Sequence, residues 1–145
     1  MQSKRKRLIN LLLVIAVFYL VDFITKRYFL EYYIISWGIQ NHYWYVWVIP
    51  AAFAVFNQPV TSALMTVGHP LGLFLGQYLG DIMKMRNLEK ITSDMGNQEI
   101  YQLQQHMGVW IWLGTLLICM TAGIIITFVS KWAKKNRKNI NGSYK

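Results

Sequence analysis

Residues 43–83 read YWYVWVIPAAFAVFNQPVTSALMTVGHPLGLFLGQYLGDIM, a stretch whose single charged side chain is Asp81. A bilayer's hydrocarbon core of about 30 Å is crossed by about 20 helical residues. The stretch is therefore too long for one crossing and suits two that are tightly joined. Its centre, Phe56-Asn57-Gln58-Pro59-Val60, is a turn-compatible polar cluster closed by proline, which disfavours helix at the residue before it. The expectation is a helical hairpin with arms of about 42–57 and 60–83. The first arm is short, so it recruits residues before Tyr43 or lies where the bilayer is thin. Pro50 and Pro70 fall inside the arms, where proline frees a carbonyl and favours a kink.

Two further apolar blocks flank the hairpin. Leu8 to Ile24 is broken only by Asn10 and Asp22, and Gly108 to Ser130 carries no charge. The 145-residue chain is 14% charged and 54% hydrophobic, against about 25% and 45–50% for a soluble domain. Segments this free of charge have no polar face to offer water, which argues against a soluble bundle. The fold expected is an all-α integral membrane bundle of four transmembrane helices, at about 8–25, 42–57, 60–83 and 108–130, forming a single polytopic domain over 1–145. MQSKRKR followed by an apolar core has the start of a signal peptide, but the core runs into VDFITKRYF with no small-x-small site, so it reads as a retained anchor. Cys119 is the lone cysteine and lies inside the last block, which leaves no disulfide or Cys-based metal framework.

Charge placement tests the count. With four crossings and a cytoplasmic N-terminus, ten Lys and Arg fall on the side of the termini, including those of the basic tail 131–145, and five fall opposite. With three crossings the split is seven against eight, so the positive-inside rule favours four, with both termini cytoplasmic. All six acidic residues lie on the outer side of that arrangement. An inner surface of purely positive charge suits anionic lipid and accounts for the net charge of +9 without nucleic acid. Between the first two crossings, nine of the twenty residues from Tyr28 to Trp47 are aromatic, the composition of an interfacial belt; a ligand-binding aromatic cage is the sharper reading. Farther on, Ile100, Leu103 and Met107 have the spacing of one face of a short helix leading into the last crossing.

Gly68, Gly72, Gly76 and Gly80 recur every fourth residue and wind into one groove on a helix. In a membrane such a groove lets a neighbouring backbone approach. Packing inside the chain is the simpler reading, and a seam between copies is the functional one. His69 falls within the groove, while Gln77 and Asp81 adjoin it; polar groups within a crossing face protein or water. Asp22, His42, Asp81 and His106 each stand at an outer helix end, so topology brings four metal- or proton-binding groups to one depth. The metal assignment stays open, since HExxH and closely spaced ligand pairs are missing and haem between His69 and His106 would join different depths.

LVDFITK, residues 20–26, resembles the Asp-x-x-Thr-Lys of the first crossing of bacterial lipoprotein signal peptidases, which are similar in size, with four crossings and both termini inside. That resemblance implies two catalytic aspartates at the outer ends of the last two crossings. Asp81 is in a comparable place without the surrounding Gly-Asn-x-x-Asp-Arg, and His106-Met107-Gly108 stands where the second aspartate belongs. A mechanism in which two carboxylates share a proton lacks its second member. Serine-hydrolase and Cys-His patterns are missing too. The function expected is non-enzymatic: a transport-associated, pore-forming or accessory subunit of the cell membrane, with the lipid bilayer and either a second copy or another membrane protein as partners and no cofactor. The alternative is a membrane-embedded enzyme or metal-binding protein with an outer-face Asp/His site.

Overall fold

In the computed structural model the backbone of residues 2–142 and the side chains of residues 4–136 are described, so the far end of the basic tail lies outside the described residues. Those residues form helices and turns, with no strand among them. Helix α1 (Gln2–Tyr28) is followed by short α2 (Tyr33–Gln40), a 3-10 turn (Tyr43–Trp47) and short α3 (Val48–Val55). Then come α4 (Pro59–Leu88), short α5 (Asn97–Gln104) and α6 (Gly108–Gly142). Two segments, Lys4–Tyr28 and Gly108–Asn136, are long and apolar enough to cross a membrane. Their large apolar side chains face outward: Leu13 and Phe23 on α1 are 59% and 65% exposed, and Ile118 and Phe128 on α6 are 69% and 70% exposed. Apolar surface of that extent belongs against lipid or another apolar partner.

The hairpin turn forms where the proline cluster predicts it. Asn57 adopts a left-handed conformation (φ 61°), the Gln58 N–H donates to the Phe53 carbonyl (2.9 Å) and the Asn57 N–H to that of Ala54 (3.3 Å). This paired 6→1 and 5→2 bonding is the Schellman closure, which consumes carbonyls that the end of α3 would leave bare. Pro59 then starts α4 at a position where a missing N–H costs nothing.

The first arm differs from a continuous helix over 42–57. His42, at φ 54° and ψ 45°, ends one helical segment and begins a 3-10 turn, so residues 33–55 form a broken helix. The break falls where a polar Gln40-Asn41-His42 run interrupts two apolar segments, and Asn41 satisfies the Trp37 carbonyl through its side-chain amide (2.8 Å). The broken helix nonetheless runs antiparallel beside α4 for much of its length. The Ile34 N–H bonds Gln77 near one end, and Ser62 Oγ donates to the Pro50 carbonyl (2.8 Å) near the other. The fifteen positions from Ser62 to Gln77 in α4 rise about 22 Å. Pro50 falls in the first turn of α3, where an N–H has no acceptor within that helix, and Pro70 is inside α4, which continues through it.

Helix α4 is the hub, packing along α6 and also against α1 and α3. Its buried stripe comprises Thr61, Ser62, Met65, Thr66, Gly68, His69, Gly72, Leu73, Gly76 and Gly80, at spacings of one to four. Small and polar residues fill it, so close packing and hydrogen bonds carry the association of α4 with its neighbours. Thr66 Oγ1 returns its proton to the Ser62 carbonyl (2.7 Å), keeping that hydroxyl satisfied within the helix.

Candidate functional site

The four groove glycines all face α6 of the same chain. A Cβ on Gly68 would meet Cys119 Sγ at 2.6 Å, one on Gly72 would meet Trp112 Cδ1 at 2.8 Å, and one on Gly80 would collide with the His106 ring. At Gly76 the obstacle is backbone, the Gly108 carbonyl at 2.5 Å. The groove is thus occupied within one chain, and a partner would meet other surfaces.

His69 lies in the middle of that interface with 0% exposure. The Trp112 indole N–H donates to its Nδ1 (3.1 Å), so the neutral ring carries its proton on Nε2. Trp47 stacks on the ring, with centroids 4.3 Å apart and planes 17° apart, and Tyr43 approaches edge-on at 6.3 Å. The Nε2 of His69 and the indole nitrogen of Trp47 have no hydrogen-bond partner among the described residues. Both are donors, an arrangement suited to an acceptor and not to a metal ion. Binding a metal or haem iron through Nε2 would move the proton to Nδ1, the atom that accepts from Trp112. Of the aromatic run after α1, Tyr43 and Trp47 are therefore core residues, while Tyr28, Trp44 and Tyr45 are exposed.

A second polar chain closes the end of the bundle where α6 begins. The Gly108 N–H donates to His106 Nδ1 (3.1 Å), which leaves His106 Nε2–H to donate to Asp81 Oδ1 (3.1 Å). Asp81 Oδ2 accepts from Gln77 Nε2 (2.8 Å), and Gln77 Oε1 accepts from the Ile34 N–H (3.0 Å). That last bond satisfies a bare amide in the first turn of α2, whose N-cap Tyr32 offers no side-chain acceptor. Gln77 is thus a helix cap delivered from another helix. The Asp81 side chain is 50% exposed and that of His106 only 3%, so this is a half-solvated hydrogen-bonded pair whose net worth is about 1 kcal/mol.

The proposed outer-face set does not assemble as a whole. Asp81 and His106 pair, but Asp22 bonds Lys26 (2.9 Å) and the Tyr43 hydroxyl (3.2 Å), and His42 is an exposed left-handed backbone position. Among the described residues no three His, Cys, Asp or Glu side chains gather closely enough to hold a metal ion. Among the described residues the ionisable partner of Asp81 is an imidazole, not the second carboxylate that the signal-peptidase resemblance implies. Two partnerships escaped the sequence reading: Trp112 with His69, and Gln77 with the first turn of α2. Helical phase offered a signal for the first, since an antiparallel α6 starting at Gly108 brings its first turns level with Gly72 and Gly76. Compared with protein-family models, curated proteins and solved structures, the chain matches none.

Proposed function

We propose that the chain is a four-span, non-enzymatic membrane protein with both termini on the cytoplasmic side, acting as an accessory or transport-associated subunit. The crossing count draws support from the antiparallel course of residues 33–55 beside α4: a broken helix anchored at Ile34 and at Pro50 covers the depth that a continuous second crossing would cover. The orientation rests on the ten-to-five distribution of basic residues. Cysteine labelling at Met1, Asn57, Asp94 and Ser143 in sealed cells tests both. Protection at Met1, Asn57 and Ser143 with labelling at Asp94 is expected; labelling at Asn57 would remove the second crossing.

The single observation that carries the accessory reading is the closed α4–α6 seam. Gly76 and Gly108 meet backbone to backbone, and His69, two turns away on α4, is sealed among Trp47, Trp112 and Tyr43, so among the described residues the seam is filled by packed side chains and backbone. Such a chain works through the apolar surface of its long helices, alongside a partner. Proteoliposomes holding the purified protein alone are expected to be as tight to ions and small solutes as empty vesicles. In native membranes the protein is expected to migrate in a larger complex of defined composition. A conductance from the pure protein would favour the pore-forming reading instead.

A further inference from the structure

At the end of the bundle where α6 begins, α2, the end of α4, α5 and the start of α6 enclose a cleft of about 670 Å³. That volume falls within the range of small-ligand sites. Its walls combine apolar and polar side chains. Val109 and Trp110 belong to the apolar start of α6, whereas Lys84, Gln104 and Gln105 come from the polar segment that follows the apolar body of α4. A cleft that sets apolar walls beside polar groups suits an amphiphile. Trp110 and Tyr101, 70% and 67% exposed, stand at its lip, where amphipathic rings favour the headgroup level.

The charge of the occupant follows from the lining. Among the described lining residues Lys84 contributes the one full charge and none is Asp or Glu, while the Asp81 carboxylate is engaged by the Nε2 of the lining residue His106. His106 also lines it but brings no free donor, because Nε2–H is held by Asp81 and Nδ1 is filled by the Gly108 N–H. The amides of Gln104 and Gln105 supply neutral donors and acceptors. One cation with neutral donors complements one negative charge, that of a phosphodiester; the two charges of a phosphomonoester would leave one unmatched. We propose that this cleft binds the headgroup of an anionic phosphodiester lipid, with Lys84 as its counter-charge and Trp110 and Tyr101 bracketing the glycerol region. The inference rests on the membrane reading of the bundle and not on which side faces out.

Native mass spectrometry of the full chain, delipidated in detergent and titrated with phosphatidylglycerol or with phosphatidylcholine of the same acyl chains, tests the assignment. One phosphatidylglycerol per chain is expected to be retained in preference to phosphatidylcholine. Lys84→Gln should weaken that retention about tenfold, the scale of one charge-assisted hydrogen bond, and Lys84→Arg should restore it. Arg86→Gln, an exposed charge outside the cleft, should change little. Lys84 is half-buried, and an unchanged melting temperature for Lys84→Gln would verify that the fold is kept. Equal retention by wild type and Lys84→Gln, or equal loss in Arg86→Gln, overturns the site. Competition by deacylated glycerophosphoglycerol at the same concentration as the lipid would make this a soluble-anion site and overturn the lipid assignment. Extraction of the protein by alkaline carbonate would instead sink the membrane reading, a separate outcome from lipid loss in an inserted protein.

Discussion

Gly76 and Gly108 close on each other reciprocally. A Cβ on Gly76 would lie 2.5 Å from the Gly108 carbonyl oxygen, and a Cβ on Gly108 would lie 2.6 Å from the Gly76 carbonyl oxygen. Neither obstacle is a side chain that can swing aside, so a methyl group at either position must push α4 and α6 apart. Overpacking costs typically 1–3 kcal/mol, and here the strain falls on two backbones at once. Gly76→Ala and Gly108→Ala should each destabilise the bundle by about 3 kcal/mol in a denaturant titration in detergent. Gly114, also on α6, has open space around its Cβ position, and Gly114→Ala should be neutral or gain up to about 1 kcal/mol from helix propensity. Equal losses at Gly76 and Gly114 would refute the seam.

Gly68 offers a softer version of the same contact. The atom that a new Cβ would strike is Cys119 Sγ, at 2.6 Å, with Cys119 Cβ at 3.1 Å. Gly68→Ala should therefore cost about 1–2 kcal/mol, and adding Cys119→Ala should recover most of that loss, because the double change exchanges one small group for another across the seam. Additive losses in the double variant would mean that the two positions do not touch.

Much of the bundle is legible in residue chemistry, and the illegible parts have identifiable causes. The spacing of Gly68, Gly72, Gly76 and Gly80 announces a close helix neighbour, and Asn57-Gln58-Pro59 announces the hairpin turn, because both are local consequences of backbone sterics. The break at His42 is hidden, since the short arm of about 42–57 is expected to continue into the residues before Tyr43 and no proline marks a stop at that junction. The pairing of His69 with Trp112 is hidden for another reason: it spans 43 positions and depends on the register of two helices. For Asp22, His42, Asp81 and His106, a depth inferred from a crossing count fixes only one coordinate of three. Rotation about each helix axis decides the rest, and it turns Asp22 toward Tyr43 while Asp81 meets His106.

Among the described residues the Trp112 indole N–H is the hydrogen-bond partner of His69 Nδ1, and both groups are sealed from solvent. Trp112→Phe keeps most of the packing volume and deletes the donor, leaving a buried acceptor bare. A loss of about 1–3 kcal/mol is expected, the penalty for one unsatisfied buried polar group. His69→Phe in the Trp112→Phe background should cost less than His69→Phe alone, since the indole donor that His69 would otherwise leave bare is then gone. The coupling read from that thermodynamic cycle measures the bond, and a coupling near zero would mean that packing alone holds the pair.

His42 tests whether this position serves backbone geometry or ligand chemistry. Its φ of 54° is sterically unfavourable for any residue with a Cβ, at about 1–2 kcal/mol, and worse for a β-branched one. The side chain is exposed and has no part in the hydrogen-bonded networks around His69 and His106. His42→Gly should leave stability unchanged or raise it by up to about 1 kcal/mol, as relief of the left-handed strain opposes the greater freedom of the unfolded chain. His42→Val should lose about 2 kcal/mol and weaken the junction between α2 and the 3-10 turn, which faster amide exchange at Tyr45, bonded to the His42 carbonyl, would report. A ligand role predicts the opposite pattern: Gly and Val would abolish binding alike, with stability set by the ligand. Since the break at His42 lets residues 33–40 and 48–55 lie along α4 in separate registers, the identity of this residue governs how the Gln77 cap and the Ser62 contact are met at once.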